Sequence, residues 1–258
     1  MLLLRSVLFN AAFYVNLVAL MVFGLPVLLL GRRGGIFMAQ SWAATSLWWL
    51  DLICGLKVEF RHKERIPKGA LLICAKHQSI LETFAMTLMF EDFSYIVKRE
   101  LTWIPMFGWY LAGAHQVAID RGKGGSALAQ VAARARGAFA QGRQIFIFPE
   151  GTRRPIGAPP QYKYGATHLY TESAVRCLPV AMNTGLFWPR RSFLRRPGTA
   201  VIEFLDIIEP GLDKAAFAAL LQERVEAASS RLVAEAFARD PGLAAVFAGA
   251  FEEQKEGA

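Results

Sequence analysis

"ALLICAKHQSILETF", residues 70–84, decides how the rest of this chain is read. Its first six residues form an uninterrupted small or apolar run, as a strand buried on both faces would. From Leu81 the apolar spacing changes to a helical one, continuing to residue 90. His77 falls in the loop between, two residues past the end of the strand. That is where open α/β sheets place ligands. Two readings of the loop stay open on local grounds. "SILE" matches a capping box, with Ser79 as N-cap and Glu82 at N3, and an N-cap is worth about 1 kcal/mol. Alternatively, Glu82 orients His77 as a base. On one continuous helix two residues five apart point about 140° away from each other, but with His77 in the preceding turn they can converge. A carboxylate on Nδ1 would then fix the tautomer and support the imidazolium.

Outward from this unit the same alternation repeats. Residues 93–98, 115–120, 144–149, 177–182 and 199–205 read as strands, and 125–141, 164–174 and 213–238 as helices. The fold class is α/β: a mixed, largely buried sheet flanked by helices. Ahead of it, residues 6–30 carry no charge. At about 1.5 Å per residue such a helix extends about 37 Å, enough to cross the hydrocarbon layer. Asn10, Asn16 and Pro26 interrupt its apolar character. "GRRGG" follows where a cleaved leader would have a small-residue site. A second apolar run, residues 36–56, holds Trp42, Trp48 and Trp49, which suit the headgroup boundary, and Asp51, which would cost about 2.5–3.5 kcal/mol at mid-membrane. Two full crossings would put the Arg32-Arg33 turn and the remaining domain on opposite sides. A hairpin dipping into one leaflet keeps them together, so residues 1–56 are read as a two-helix monotopic membrane anchor and 57–258 as the α/β domain.

The composition agrees. Of 258 residues 54% are hydrophobic, the formal charge is +8 and the mean hydropathy is +0.30. A basic, apolar chain favours an anionic membrane surface or phosphate-bearing substrates, and no nucleic-acid motif is present. Cys54, Cys74 and Cys177 show neither disulfide nor zinc spacing, which points to a reducing compartment. Cys74 reads as a buried thiol, and His62, His115 and His168 as structural or surface groups with no ligand partners at metal spacing. "FWPRRSFLRRP", residues 187–197, sets four arginines beside aromatics and reads as a lipid-contact loop or a solvated one.

Company favours the catalytic reading of His77. "KRELTWIPMFGWYLAGAHQVAIDR", residues 98–121, puts cations at the ends of two candidate strands, and "FPEGTRR", residues 148–154, puts a glycine, a hydroxyl and two arginines after a third. Amides, hydroxyls and Arg forks at strand ends suit a phosphate. With these blocks in order the chain resembles the glycerolipid acyltransferase family. "HQSILE" corresponds to its His-x4-Asp, with Glu82 in place of the usual aspartate. "KRELTWIPMFG" with "IDR", "FPEGTRR" and "CLPVA" correspond to the three later blocks, and the likeness runs over about residues 65–232.

The resemblance implies that His77 deprotonates the free hydroxyl of a lysophospholipid, oriented by Glu82. It implies that Lys98, Arg121, Glu150, Gly151, Thr152 and Arg153 position substrate, with Arg99 and Arg154 beside them. It further implies acyl-CoA or acyl-carrier protein as donor, lysophosphatidic acid as acceptor and phosphatidic acid as product, with no metal or other cofactor, at the cytoplasmic face of the inner cell membrane. The competing readings are another lysolipid acceptor, such as a lyso-ornithine lipid, and a non-catalytic protein that binds anionic lipid.

Overall fold

The computed structural model describes residues 1–120 and 124–256. Seven strands form one sheet: β1 (Leu56–Arg61), β2 (Leu71–Ala75), β3 (Phe93–Lys98), β4 (Val117–Ile119), β5 (Gln144–Ile147), β6 (Cys177–Met182) and β7 (Gly198–Phe204). Their order is β1-β7-β6-β2-β5-β3-β4. From β6 to β4 neighbours are parallel; β7 runs antiparallel to β6 and takes β1 along parallel to itself. The sheet is therefore mixed.

All five residues of β2 are buried, and alternation along it feeds two cores. Leu72 and Cys74 pack with α5 (Gly124–Phe139), α6 (Tyr164–Ser173) and α8 (Lys214–Arg239) through Val131, Leu169, Tyr170 and Leu221. Leu71, Ile73 and Ala75 face the other way, onto Ala85 of α3 (Leu81–Ala85), the adjacent Met86, and Ile36 of α2 (Gly31–Trp49). Burial on both faces is what the unbroken apolar run of β2 required.

Several elements differ from the sequence reading; the helix expected over residues 81–90 keeps only α3 before a 3-10 turn, Met86–Met89. β1 is a strand that periodicity did not reveal: "LKVEFR" alternates charged and apolar residues, as an edge strand with one covered face does. The strand expected over residues 115–120 shortens to β4, because α4 (Phe107–Gly113) precedes it and His115 turns the chain at φ 52°. A terminal helix, α9 (Pro241–Glu256), follows α8.

The N-terminal pair is also modified. α1 (Leu2–Phe23) stops where Gly24 and Pro26 divert the chain into a 3-10 segment, Leu25–Leu30. Among the described residues one helix, α1, is long and apolar enough to cross a membrane, with 22% of its most apolar window buried. The expected apolar two-helix anchor narrows to one strongly apolar helix. α2 opens with Gly31, Arg32 and Arg33 and buries Gly34, Gly35, Ile36 and Met38 against the domain. The polar residues that weakened a membrane span find partners in protein instead. Asn16 donates to Thr45 on α2 (2.8 Å). Arg195 donates to Asn10 Oδ1 (2.8 Å), its main-chain N–H donates to Ser6 Oγ (2.9 Å), and its guanidinium lies 3.9 Å over the Trp188 ring. Arg195 is 5% exposed and meets no carboxylate among the described residues; burial lowers its pKa to about 10. This buried cation latches α1 to the loop after α7 (Thr184–Phe187). Arg195→Ala should strand Asn10 and remove the ring contact, costing about 2–3 kcal/mol. A melting temperature in detergent unchanged from wild type would dismiss the latch.

Candidate functional site

His77 leaves the carboxyl end of β2 with its ring stacked on Phe148, centroids 3.9 Å apart and planes at 17°. Its Nδ1 is 2.9 Å from Glu82 Oε1. The carboxylate is fully buried and saturated with donors. Oε1 also accepts the N–H groups of Gln78 (2.9 Å) and Ser79 (2.7 Å), and Oε2 accepts the hydroxyl of Thr184 (2.7 Å). One carboxylate thus makes contacts that each sequence reading expected of it. Glu82 reaches back to the amides before the helix, as a capping glutamate does, and holds the histidine ring with the same oxygen. Ser79 is not the N-cap: α3 begins at Leu81 after Ile80. The hydroxyl of Ser79 accepts the Leu81 N–H at 3.1 Å. The extra methylene of glutamate, relative to aspartate, is absorbed in this return to residues 78 and 79. With Nδ1 taken by Glu82, Nε2 is the nitrogen left for a proton from substrate.

His77 and Arg153 share the wall of an apolar cavity of about 440 Å³. Its lining includes Leu20 of α1, Ala39 and Trp42 of α2, Phe84 of α3, Val97 of β3 and Tyr110 of α4. The N-terminal helices therefore build part of the chamber beside the histidine, and α1 also shares a core with the domain through Phe9 and Phe13.

The other expected site residues fall in different surroundings. Glu150 is buried; one oxygen accepts from Lys76 (2.9 Å) and the other from the His77 N–H (3.3 Å). Burial raises its pKa, opposed by Lys76. Gly151 has φ +65°, the left-handed region that favours glycine, and a Cβ there would press on the Lys163 side chain at 3.1 Å. Thr152 and Arg153 are half-buried on the same loop. The Arg154 N–H donates to the His77 carbonyl at 2.8 Å, so the "FPEGTRR" loop holds His77 by its main chain from both sides. Lys98 is exposed at the end of β3 and pairs with Glu100 (3.0 Å), as Arg99 does with Asp120 (2.9 Å). Arg121 lies outside the described residues.

Sequence reading missed Thr184, Lys76 and Glu226. Thr184 and Glu226 lie far along the chain with no local motif, and Lys76 was passed over beside the histidine. The three cysteines are free and buried, and burial pushes the Cys74 thiol up, in line with the expectation of an inert core thiol. His62 is exposed beside Glu64. The 187–197 loop is not uniformly a surface feature: Phe187, Trp188 and Arg195 are buried, while Phe193 and Arg190 face outward.

Residues 57–183 match the family model described as Acyltransferase. A 1-acyl-sn-glycerol-3-phosphate acyltransferase of Pseudomonas aeruginosa is 35% identical over 199 residues, 77% of either chain. The alpha form of that enzyme from Mus musculus is 32% identical over 134 residues, covering 50% of this chain and 46% of its own. The crystal structure of the 1-acyl-sn-glycerophosphate acyltransferase PlsC from Thermotoga maritima has the same fold, with a TM-score of 0.76 at 22% identity over 91% of this chain and 98% of that one. Shared sequence over most of its length, together with a His–Glu pair at the carboxyl end of the central strand, makes this chain a member of the glycerolipid acyltransferase family and an O-acyltransferase.

Proposed function

We propose that this enzyme transfers an acyl group from a thioester, acyl-CoA or acyl-carrier protein, to the free hydroxyl of lysophosphatidic acid, giving phosphatidic acid. The observation that carries this reading is a carboxylate-oriented histidine on the wall of an apolar cavity. His77 Nε2 takes the hydroxyl proton as the oxygen attacks the thioester carbonyl. Glu82 stabilises the imidazolium so formed. Collapse of the tetrahedral intermediate breaks the carbon–sulfur bond, and the departing thiolate takes the proton from the imidazolium. Ester and free thiol leave the histidine neutral. No covalent acyl-enzyme, metal or other cofactor enters this scheme. Lys98, Arg121, Gly151, Thr152 and Arg153 receive the acceptor phosphate, and Glu150 steadies the loop that carries the last three.

The cavity suits a long acyl chain. Its 440 Å³ has room for on the order of fifteen groups of about a water's 30 Å³ share of liquid volume. Ala39→Phe should put a ring into this space and shift preference toward donors several carbons shorter, with kcat for the shorter donor retained. An unchanged chain-length profile would place the acyl chain elsewhere.

A monotopic seat on the cytoplasmic face of the membrane is supported by charge and geometry. Arg32 donates to Asp92 (2.6 Å) and to the carbonyls of Phe93 (2.7 Å) and Ala114, so the turn between α1 and α2 lies on the same side as the domain. Leu4, Val15 and Val18 of α1 are exposed, as are Trp103 and Trp109 around α4. A single leaflet covers such surfaces.

Thioester consumption by the purified enzyme in vesicles, with lysophosphatidic acid or a lyso-ornithine lipid as acceptor, tests the reading. Turnover with the second acceptor alone would reassign the substrate. Lipid binding without turnover on any acceptor would favour a non-catalytic role.

A further inference from the structure

Lys76 and His77 are adjacent in sequence yet line different cavities. His77 borders the apolar one. Lys76 borders a second, of about 460 Å³, between residues 155–160 and α8, together with Gln78, Glu226 and Ser229. The lysine main chain still extends the β2–β6 ladder, its N–H donating to the Val180 carbonyl at 3.0 Å. Its side chain is 5% exposed. The ammonium donates to Glu150 Oε1 (2.9 Å) and to both oxygens of Glu226 (2.7 and 3.0 Å). Tyr162 donates its hydroxyl to Glu226 Oε1 at 2.9 Å. Burial and the neighbouring Glu226 push the Tyr162 phenol well up, so it remains a donor.

These bonds form one chain of contacts: Tyr162, Glu226 on α8, Lys76, Glu150 and finally the main-chain N–H of His77. The proposed base is therefore held twice. Glu82 fixes the ring, and Glu150 fixes the backbone from which the ring hangs. Glu150 depends on Lys76 for its own placement. Two carboxylates share one ammonium, so removing the lysine leaves the buried Glu150 facing the charge of Glu226 with no cation between them. Loss of one partner from a buried charge cluster is more disruptive than loss of the cluster.

We infer that Lys76 and Glu226 are positioning residues of this acyltransferase, acting through Glu150 to fix the main chain of His77 and to couple the closing helix α8 to the catalytic loop. The inference rests on the proposed role of His77 as base. A displacement near 1 Å at a reacting group can cost about 10²-fold in rate, which sets the scale of the expected effects.

The experiment uses Lys76→Met, Glu226→Gln and the double variant of the full-length protein in detergent micelles. Melting curves, steady-state kinetics and the imidazole resonances of the four histidines are measured, with His77 identified by the signal missing from His77→Ala. Lys76→Met should lower kcat by about 10²-fold. Glu226→Gln keeps the volume and one acceptor for Tyr162, and should lower kcat by about 10-fold, with KM for the acceptor nearly unchanged. The double variant should match Lys76→Met rather than the product of the two losses, because both act through one chain of contacts. The His77 resonance should move in both single variants while those of His62, His115 and His168 stay. Lowered melting with wild-type kcat and an unmoved His77 resonance would overturn the inference and leave the cluster a stabilising feature only. Wild-type protein that consumes no thioester with lysophosphatidic acid would instead reject the proposed function, and the resonances would still decide the positioning role. If Lys76→Met does not fold, Glu226→Gln alone decides: an unmoved His77 resonance rejects the role.

Discussion

His77→Ala is expected to lower thioester turnover by about 10²–10⁴-fold, the usual contribution of a general base, while the protein folds and binds membranes as before. The fold should tolerate the change because Glu82 is not left bare. Three donors remain on its two oxygens: the amides of Gln78 and Ser79 and the hydroxyl of Thr184. What is lost structurally is the stack on Phe148, worth about 1 kcal/mol. Thioester consumption measured beside a melting curve checks this. Full turnover in a well-folded His77→Ala protein would remove the histidine from the mechanism.

Glu82→Gln should damage both chemistry and stability, and that joint outcome is what the structure adds to the sequence reading. A pure helix cap would lose stability and keep rate; a pure orienting acid would lose rate and keep stability. The carboxylate does both jobs with one buried oxygen, and the amide cannot. It keeps one carbonyl acceptor for the amides of Gln78 and Ser79, but withdraws the negative charge that supports the imidazolium. Turnover should fall by about 10²-fold or more. Bonds to a charged group are worth about 1.5–3 kcal/mol, a drop of roughly 5–10 °C in melting temperature for a chain of this size. Unchanged melting with lost turnover would mean that the returns to residues 78 and 79 add nothing to stability. Unchanged turnover would mean that something other than Glu82 orients His77.

Much of the site was legible because its decisive parts are local. Residues 70–84 contain the strand, the turn, the histidine and the carboxylate, and each was marked by a change in apolar spacing or by a capping pattern. The glycine of "FPEGTRR" was legible as a loop residue after a strand, while its left-handed φ emerged only with the structure. Thr184 was not, because it reaches Glu82 from beyond β6, 102 residues along the chain. Glu226 lies 150 residues from Lys76 and looks, by periodicity, like any polar position on a long amphipathic helix. β1 was hidden by its alternation of charged and apolar residues: Arg61 finds its partner Glu235 only on α8, and the neighbouring strand β7 begins only at Gly198.

By itself, then, the sequence determined most of the segments that become strands and helices, which strand is buried on both faces, and where along the chain His77 and Glu82 sit. Periodicity and capping act over a few residues, so these features need no distant partner to be read. Only the tertiary structure decided what each apolar face or buried charge meets. It placed α1 and α2 on the wall of the chamber beside His77, used Arg195 and Arg32 to tie an apolar N-terminus to the domain, and set a lysine and two glutamates behind the catalytic loop. Those choices depend on packing between elements far apart in the chain, where spacing along the sequence fixes neither distance nor direction.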